Sequence, residues 1–243
     1  MNAIKNKTYQ EWCTKCQVLF TSEHRTPNMD KIQNLIDGFS VSFQTFHGEI
    51  NECNLFVSEN TLLDQAGKVI YKWRNLDTGG QFATMFLHSN GRRYLVFRVD
   101  LYGYGVLELE SGKELNYIPA EAYPEDSEKF NETFIWTDVT YDPESDLLAV
   151  SGCYWACPNS AIIVDFSEPL SAQPADCWLD IRDIVDSEYT NYDHIDVLGW
   201  KNGVLSLCVD GHEVCLTGKD LKEKIIDLSS TTSAQAIIKN HGK

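Results

Sequence analysis

Positive charge is scarce in this 243-residue chain. It has 20 Lys and Arg residues against 36 Asp and Glu residues, which gives a formal net charge of −16. A surface this negative repels phosphate backbones, and the basic residues form no cluster, so we expect no nucleic-acid partner. The acidic balance favours solubility and is compatible with cationic partners.

Long apolar runs are also missing. No stretch approaches the roughly 18 consecutive apolar residues that a membrane-spanning helix needs. Residues 1–20 contain neither the apolar core nor the small-residue cleavage site of a signal peptide. The sequence therefore predicts a cytoplasmic protein with no membrane partner, in which the 8 cysteines are reduced thiols.

Familiar catalytic motifs are absent as well. The chain has no Gly-x-Ser-x-Gly elbow, phosphate-binding loop, His-Glu-x-x-His motif or calcium-loop pattern. Gly103 and Gly105 form a two-glycine loop, but no helix is predicted after them to receive a phosphate. We therefore predict no catalytic residue and no cofactor.

The residues that are present favour β structure. Aromatic residues make up 12% of the chain, and they suit pleated, half-buried strands. From Val41 onward, short alternating apolar runs are separated by turns, of which Asn90-Gly91 is a strong hairpin signal. A last strand is predicted to follow Thr217-Gly218 and to end at Ile225–Leu228.

The first 40 residues have a different texture. Apolar residues at helical spacing predict one short helix over Met29–Asp37, with Asn28 as its N-cap and Gly38 after its end. The predicted organisation is an N-terminal helical or extended segment, a β-repeat domain and a polar tail, over residues 1–40, 41–228 and 229–243.

The stretch Thr133–Leu170 contains three predicted strands, and weaker copies of it occur before and after. The copies align by the turn after the third strand, which recurs every 45 to 56 residues. These turns are centred on Gly67, Gly112, Glu168 and Gly218.

A four-stranded unit at this period resembles the blades of WD-repeat-like β-propellers. The resemblance spans about Val41–Leu228 and rests on the turns, since no Trp-Asp pair ends a blade and no Gly-His pair opens one. It implies an all-β, propeller-like array of about four antiparallel blades. A closed ring, an open arc and a sandwich-like stack of meanders are all compatible with it, and an open arc would predict a homodimer.

Aromatic residues in two loops suggest a binding surface. Overlaying Leu147–Val150 on Tyr94–Phe97 places both loops between second and third strands, so Tyr102 and Trp155 are predicted at one end of the molecule. Aromatic anchors are enriched at binding sites, and packing between blades is the alternative. The candidate ligand-binding residues are Tyr102, Tyr104, Trp136, Asp138, Tyr154, Trp155, His194 and Asp196.

Acidic residues supply the material for a second hypothesis. A strand would place His194 and Asp196 on one face, where they could act with Asp100 or Asp138. If these groups line one pocket, a hydrolase or lyase is the predicted class. The alternative is that His194 and Asp196 are the solvated start of a strand.

Cysteine spacing raises the question of a metal. Cys13 and Cys16 form a CxxC, and Cys153 and Cys157 a CxxxC, so the four thiols could together hold zinc. The alternative is that they are buried or incidental thiols, and core packing is predicted for the remaining four, Cys53, Cys177, Cys208 and Cys215.

Taken together, these features predict a non-catalytic binding or scaffold module. Its partner is predicted to be an unknown protein or small ligand. The hydrolase or lyase described above is the alternative.

Overall fold

The computed structural model describes residues 2–76, 81–185 and 194–228. Strands hold 47% of the described residues and helices of all kinds 22%, which confirms the all-β class. None of the helices described is long and apolar enough to span a bilayer. The predicted tail over 229–243 and the loop at 77–80 lie outside the described residues.

Contacts divide the chain into two compact units. One is Met1–Phe86 with Arg93–Thr133, and the other is Leu87–Arg92 with Phe134–Lys243. The tip of one hairpin, Leu87–Arg92, therefore belongs to a different unit from the rest of that hairpin.

The first unit is built on two four-stranded antiparallel meanders, in which neighbouring strands follow the chain order. The strands of the first sheet are β1 (Lys31–Asn34), β2 (Ser40–Ile50), β3 (Cys53–Leu63) and β4 (Val69–Asn75). Those of the second sheet are β5 (Ala83–Leu87), β6 (Arg93–Val99), β7 (Gly103–Glu108) and β8 (Glu114–Tyr117). A helix, α1 (Lys7–Cys16), precedes them and is capped by Asn6, whose side chain accepts a hydrogen bond from the Tyr9 N–H.

The second unit contains the other two meanders. The strands of its larger sheet are β9 (Ile135–Asp142), β10 (Leu147–Cys153), β11 (Ser160–Asp165) and β12 (Leu179–Asp180). Three strands form the remaining sheet within the described part of the chain, namely β13 (Ile195–Lys201), β14 (Val204–Val209) and β15 (His212–Thr217). Residues 218–228 then form a helix, α2.

The repeat derived from the turns is confirmed at the level of the single sheet. Gly67, Gly112, Glu168 and Gly218 follow β3, β7, β11 and β15, each the third strand of its meander. The hairpin signal Asn90-Gly91 likewise lies in the turn between β5 and β6. Turn chemistry is local, which is why the sequence shows it directly.

The predicted helix over Met29–Asp37 is wrong. Lys31–Asn34 forms β1, and the 3-10 turn Ile36–Gly38 leads from β1 into β2. The Leu35 N–H donates to the Phe39 carbonyl at 2.8 Å, which closes this hairpin. Strand pairing with β2 thus outweighs the helical spacing of the apolar residues.

The predicted last strand is also wrong, because α2 takes its place. The Thr217 hydroxyl accepts a hydrogen bond from the Asp220 N–H at 3.2 Å, and so caps the first turn of the helix. Leu221 and Ile225, one turn apart, are 1% and 3% exposed and pack into the core of the second unit. The cap and the spacing of four residues were the sequence signals for this helix.

Each unit has its own hydrophobic core. In the first unit, Trp73 of β4 lies against Phe97 of β6, with ring centroids 4.5 Å apart. In the second, Leu147 and Ile163 join Leu205 and Leu207 in one buried cluster. Alternating apolar residues on the strands supply these cores, as the period of two predicts.

Candidate functional site

Trp155 lies in the loop between β10 and β11 and is 63% exposed. The loop reverses tightly beside it, because Ala156 has a left-handed φ of 58° and the Cys157 N–H donates to the Tyr154 carbonyl at 3.0 Å. By comparison, Phe130 is 52% exposed and Phe56 38%. The turn therefore presents a large aromatic side chain to solvent.

The side chain of Tyr154 anchors this loop to the rest of the second unit. Its hydroxyl donates to the Asp180 carboxylate at 3.2 Å, and the Arg182 guanidinium lies 5.9 Å from its ring centroid. The ring also meets Phe134 edge to face at 5.3 Å. Burial, together with the negative charge of Asp180, raises the pKa of Tyr154 to about 12, so the phenol stays a neutral donor at neutral pH.

Trp136 and Asp138, both on β9, differ in exposure. Trp136 is 1% exposed and meets Trp178 edge to face at 5.5 Å, so it belongs to the interior of the second unit. Asp138 is exposed, and its carboxylate accepts a hydrogen bond from the Val139 N–H at 2.8 Å. Of these two candidates, only Asp138 is exposed to a partner.

Tyr102 and Tyr104 lie in the interior of the first unit. They are 7% and 3% exposed, and they contact Phe130 and Tyr117 respectively. The loops that hold Tyr102 and Trp155 do join second and third strands, as the overlay predicts. Tyr102 is nevertheless buried, whereas Trp155 is exposed.

His194 and Asp196 share one face at the start of β13, as predicted. Their Nε2 and Oδ1 atoms are 3.1 Å apart, and the two side chains are 50% and 48% exposed. The backbone N–H of His194 donates to the Asp210 carboxylate. The side-chain amide nitrogen of Asn159 lies 3.4 Å from Nε2 of the His194 imidazole. A histidine–carboxylate contact this open to water contributes little to stability.

Asp100 has a structural role that its sequence context did not reveal. It is 1% exposed and sits at a left-handed φ of 53° after β6. Its two carboxylate oxygens accept hydrogen bonds of 2.6 Å from the Leu76 N–H and the Tyr9 hydroxyl. Burial, and then the charge of Asp100, raises the pKa of Tyr9, so α1 is held to the second sheet by a neutral donor on a buried carboxylate.

The cysteines show no assembled metal centre. Within residues 2–76, 81–185 and 194–228, no three His, Cys, Asp or Glu side chains are grouped to hold a metal ion. Cys16 is buried, and burial raises the pKa of the Cys13 thiol, which disfavours the thiolate that zinc requires.

The zinc site of Cys13, Cys16, Cys153 and Cys157 therefore stays a prediction. The core placement predicted for Cys53 and Cys215 is wrong, because both are exposed.

A buried polar group around His88 was not found from the sequence. The Asn90 N–H donates to Nδ1 at 3.1 Å, so the proton is assigned to Nε2, which faces the Phe166 carbonyl at 3.0 Å. The Tyr141 ring stacks on the imidazole, and the Tyr141 hydroxyl bonds to Asp146. The sequence predicted only the hairpin turn at Asn90-Gly91. It did not predict the contacts of this turn with Tyr141 and Asp146, which are more than 50 residues away in the chain.

A cleft of about 520 Å³ with mixed polar and apolar walls also opens in the second unit. Lys222, on its wall, is already paired with Asp165 at 2.6 Å. Two glycines of this region lie close to side chains. A Cβ on Gly203 would meet the Glu144 carboxylate at 2.8 Å, and one on Gly218 would meet the Ser145 hydroxyl at 2.7 Å. The charged side chains that line the cleft are of both signs, namely Asp142, Glu144, Lys219, Lys222 and Glu223.

No model of a known protein family matches the chain, and no curated protein matches it significantly. The candidate site is therefore defined by its own geometry, with Trp155 as the exposed aromatic residue on an anchored loop.

Proposed function

We propose that this chain is a non-catalytic binding module of the cytoplasm, with a WD-repeat-like, propeller-like arrangement of its four meanders. The observation that carries the proposal is the 63% exposure of Trp155 on a loop that Tyr154 and Asp180 anchor. Exposed apolar surface is costly in water, and covering an indole with a partner contributes binding free energy of about 2 kcal/mol. The anchored loop adds to this because little conformational entropy is lost on binding.

Charge supports a protein partner with basic residues. Asp138, Asp176 and Asp183 are exposed carboxylates of the same unit, and the whole chain carries −16. An Arg or Lys side chain gains from the face of an indole and from nearby carboxylates. The same field opposes nucleic acid.

The hydrolase or lyase alternative depends on His194 and Asp196. Their 3.1 Å contact has the geometry of a general base with its orienting carboxylate. Both side chains are half exposed, however, whereas catalytic pairs are usually desolvated. Asp100 is occupied by Tyr9 and Leu76, so it does not add a catalytic carboxylate. We therefore prefer the binding module.

Trp155→Ala tests the proposal. Tagged wild type and variant are used to capture proteins from cells that express the chain, and the captured proteins are quantified by mass spectrometry. We expect at least one partner to fall about 10-fold with the variant, since the lost indole contact is worth more than 1.4 kcal/mol. The partner is then purified, and the affinity of each variant is measured by calorimetry.

Leu198→Ala is the matched control, because Leu198 is 59% exposed but lies on β13, away from the Trp155 loop in sequence. This control should retain the partner at the wild-type level. Equal capture by wild type and Trp155→Ala would contradict the proposal. Unchanged melting temperatures verify that both variants fold.

A further inference from the structure

The sheet formed by β13, β14 and β15 differs from the other three sheets at its last position. In those sheets the third strand is paired with a fourth, β4, β8 or β12. After β15 the chain enters α2 instead, and α2 buries Leu221 and Ile225 in the core. Within the described residues, β15 is therefore an unpaired edge.

The turn before β15 decides which backbone groups face this edge. Asp210 and Gly211 both have positive φ, 48° and 86°, which is the two-residue type I′ turn. Such a turn is closed by a hydrogen-bonded pair, here Val209 and His212, and hydrogen-bonded pairs then alternate along the ladder. Glu213 and Cys215 consequently direct their N–H and carbonyl groups away from β14.

These groups have no partner among the described residues. The backbone atoms of Glu213 and Cys215 form no hydrogen bond outside the ladder with β14. Two donors and two acceptors are thus presented in a row, with the spacing of an extended chain. A row of this kind is matched by the backbone of another β-strand.

We propose that the β15 edge binds an extended segment of a partner protein, which completes this sheet as its fourth strand. The edge shares no residue with the Trp155 loop, so the proposal does not depend on Trp155. Val214 and Leu216 lie on the core side of β15 and are partly buried. An incoming strand with apolar residues at alternate positions would extend that apolar face.

Charge distinguishes a partner from a second copy of this chain. Glu213 is exposed on the outer face of β15. A basic residue opposite Glu213 would form a favourable cross-strand pair. Two copies would instead bring together two chains of −16 each, which disfavours self-association. The occupant is therefore an extended, alternating segment that carries Lys or Arg.

A phage-displayed library of random twelve-residue peptides, selected on the full chain, tests this inference. Enriched peptides are synthesised, and their affinities are measured for wild type, Cys215→Pro and Cys215→Ala. Proline removes the Cys215 N–H, which the ladder with β14 does not use, so an edge strand tolerates it. We expect affinity to fall at least 10-fold with Cys215→Pro and less than 2-fold with Cys215→Ala.

Two further measurements keep the test decisive if Cys215→Pro perturbs folding. Bound peptide should slow amide hydrogen exchange at Glu213 and Cys215 in the wild-type chain. Glu213→Lys should weaken peptides that contain Lys or Arg several-fold, whereas Glu223→Lys on α2 should not. Peptides that bind Cys215→Pro and wild type equally, a selection that yields no edge-directed peptide, or a dimer that pairs through β15 would each overturn the proposal.

Discussion

At the residue scale, Trp136 and Trp155 are the same residue type in neighbouring parts of one sheet, yet they are 1% and 63% exposed. Both were candidates because aromatic residues are enriched at binding sites. Strand pairing turns Trp136 towards Trp178, and the Tyr154 anchor turns the loop outward at Trp155. Residue type therefore made both tryptophans candidates for binding, and the three-dimensional packing shows that only Trp155 of the two is exposed.

Asp100→Asn should destabilise the first unit by about 2 kcal/mol or more. The amide nitrogen cannot accept a hydrogen bond, so either the Tyr9 hydroxyl or the Leu76 N–H loses its buried acceptor. Asparagine tolerates the left-handed φ of 53°, which leaves the backbone unstrained. Thermal unfolding followed by calorimetry measures the loss.

The matched variant for this prediction is Tyr9→Phe, which deletes one hydroxyl and keeps the carboxylate. We expect it to be destabilising as well, because the buried carboxylate then loses the hydrogen bond from the Tyr9 hydroxyl. Wild-type stability of Asp100→Asn would show that Asp100 does not hold α1 in place.

At the level of helices and strands, the sequence analysis made two wrong assignments, and they are of opposite kinds. Met29–Asp37 has helical spacing but contributes β1, whereas the stretch after Thr217 was expected to be a strand but forms α2. In the first case, pairing with β2 makes the segment a strand. In the second case, burial of Leu221 and Ile225 in the core stabilises the helix. Local propensity is weak compared with either tertiary term.

Thr217→Ala should destabilise α2 by about 1 kcal/mol, because the Asp220 N–H loses the side-chain oxygen that caps it. Thr217→Ser is the matched variant and should retain most of the stability, since serine keeps the hydroxyl. Both are compared by thermal unfolding and far-ultraviolet circular dichroism. Equal losses in the two variants would show that the methyl group, rather than the cap, supplies the effect.

At the scale of the whole molecule, the acidic charge is the property with the widest consequences. With a net charge of −16, the acidic side chains repel one another in the folded state. This repulsion is spread over the whole surface and lowers the free energy of unfolding. Mobile ions screen it over about 10 Å at 0.1 M salt. If the proposed partners are basic, the same negative field would attract them to this chain.

Raising the NaCl concentration at pH 7 should therefore raise the melting temperature. Between about 0.02 and 0.5 M we expect an increase of about 2–4 °C, which corresponds to about 1 kcal/mol for a chain of this size. Near the isoelectric point of about 4.7 the increase should disappear, because the net charge is then close to zero. A melting temperature that falls with salt at pH 7 would contradict this expectation.

The sequence alone determined the all-β class, the recurring turn after each third strand and the Asn90-Gly91 hairpin, because turn residues and a period of two act over a few neighbours. It also placed His194 and Asp196 on one face. The three-dimensional packing was needed to show which aromatic residues are exposed, that Asp100 and His88 are buried polar groups, and that β15 has no second partner strand among the described residues. These features depend on partners far away in the chain, which local patterns do not specify.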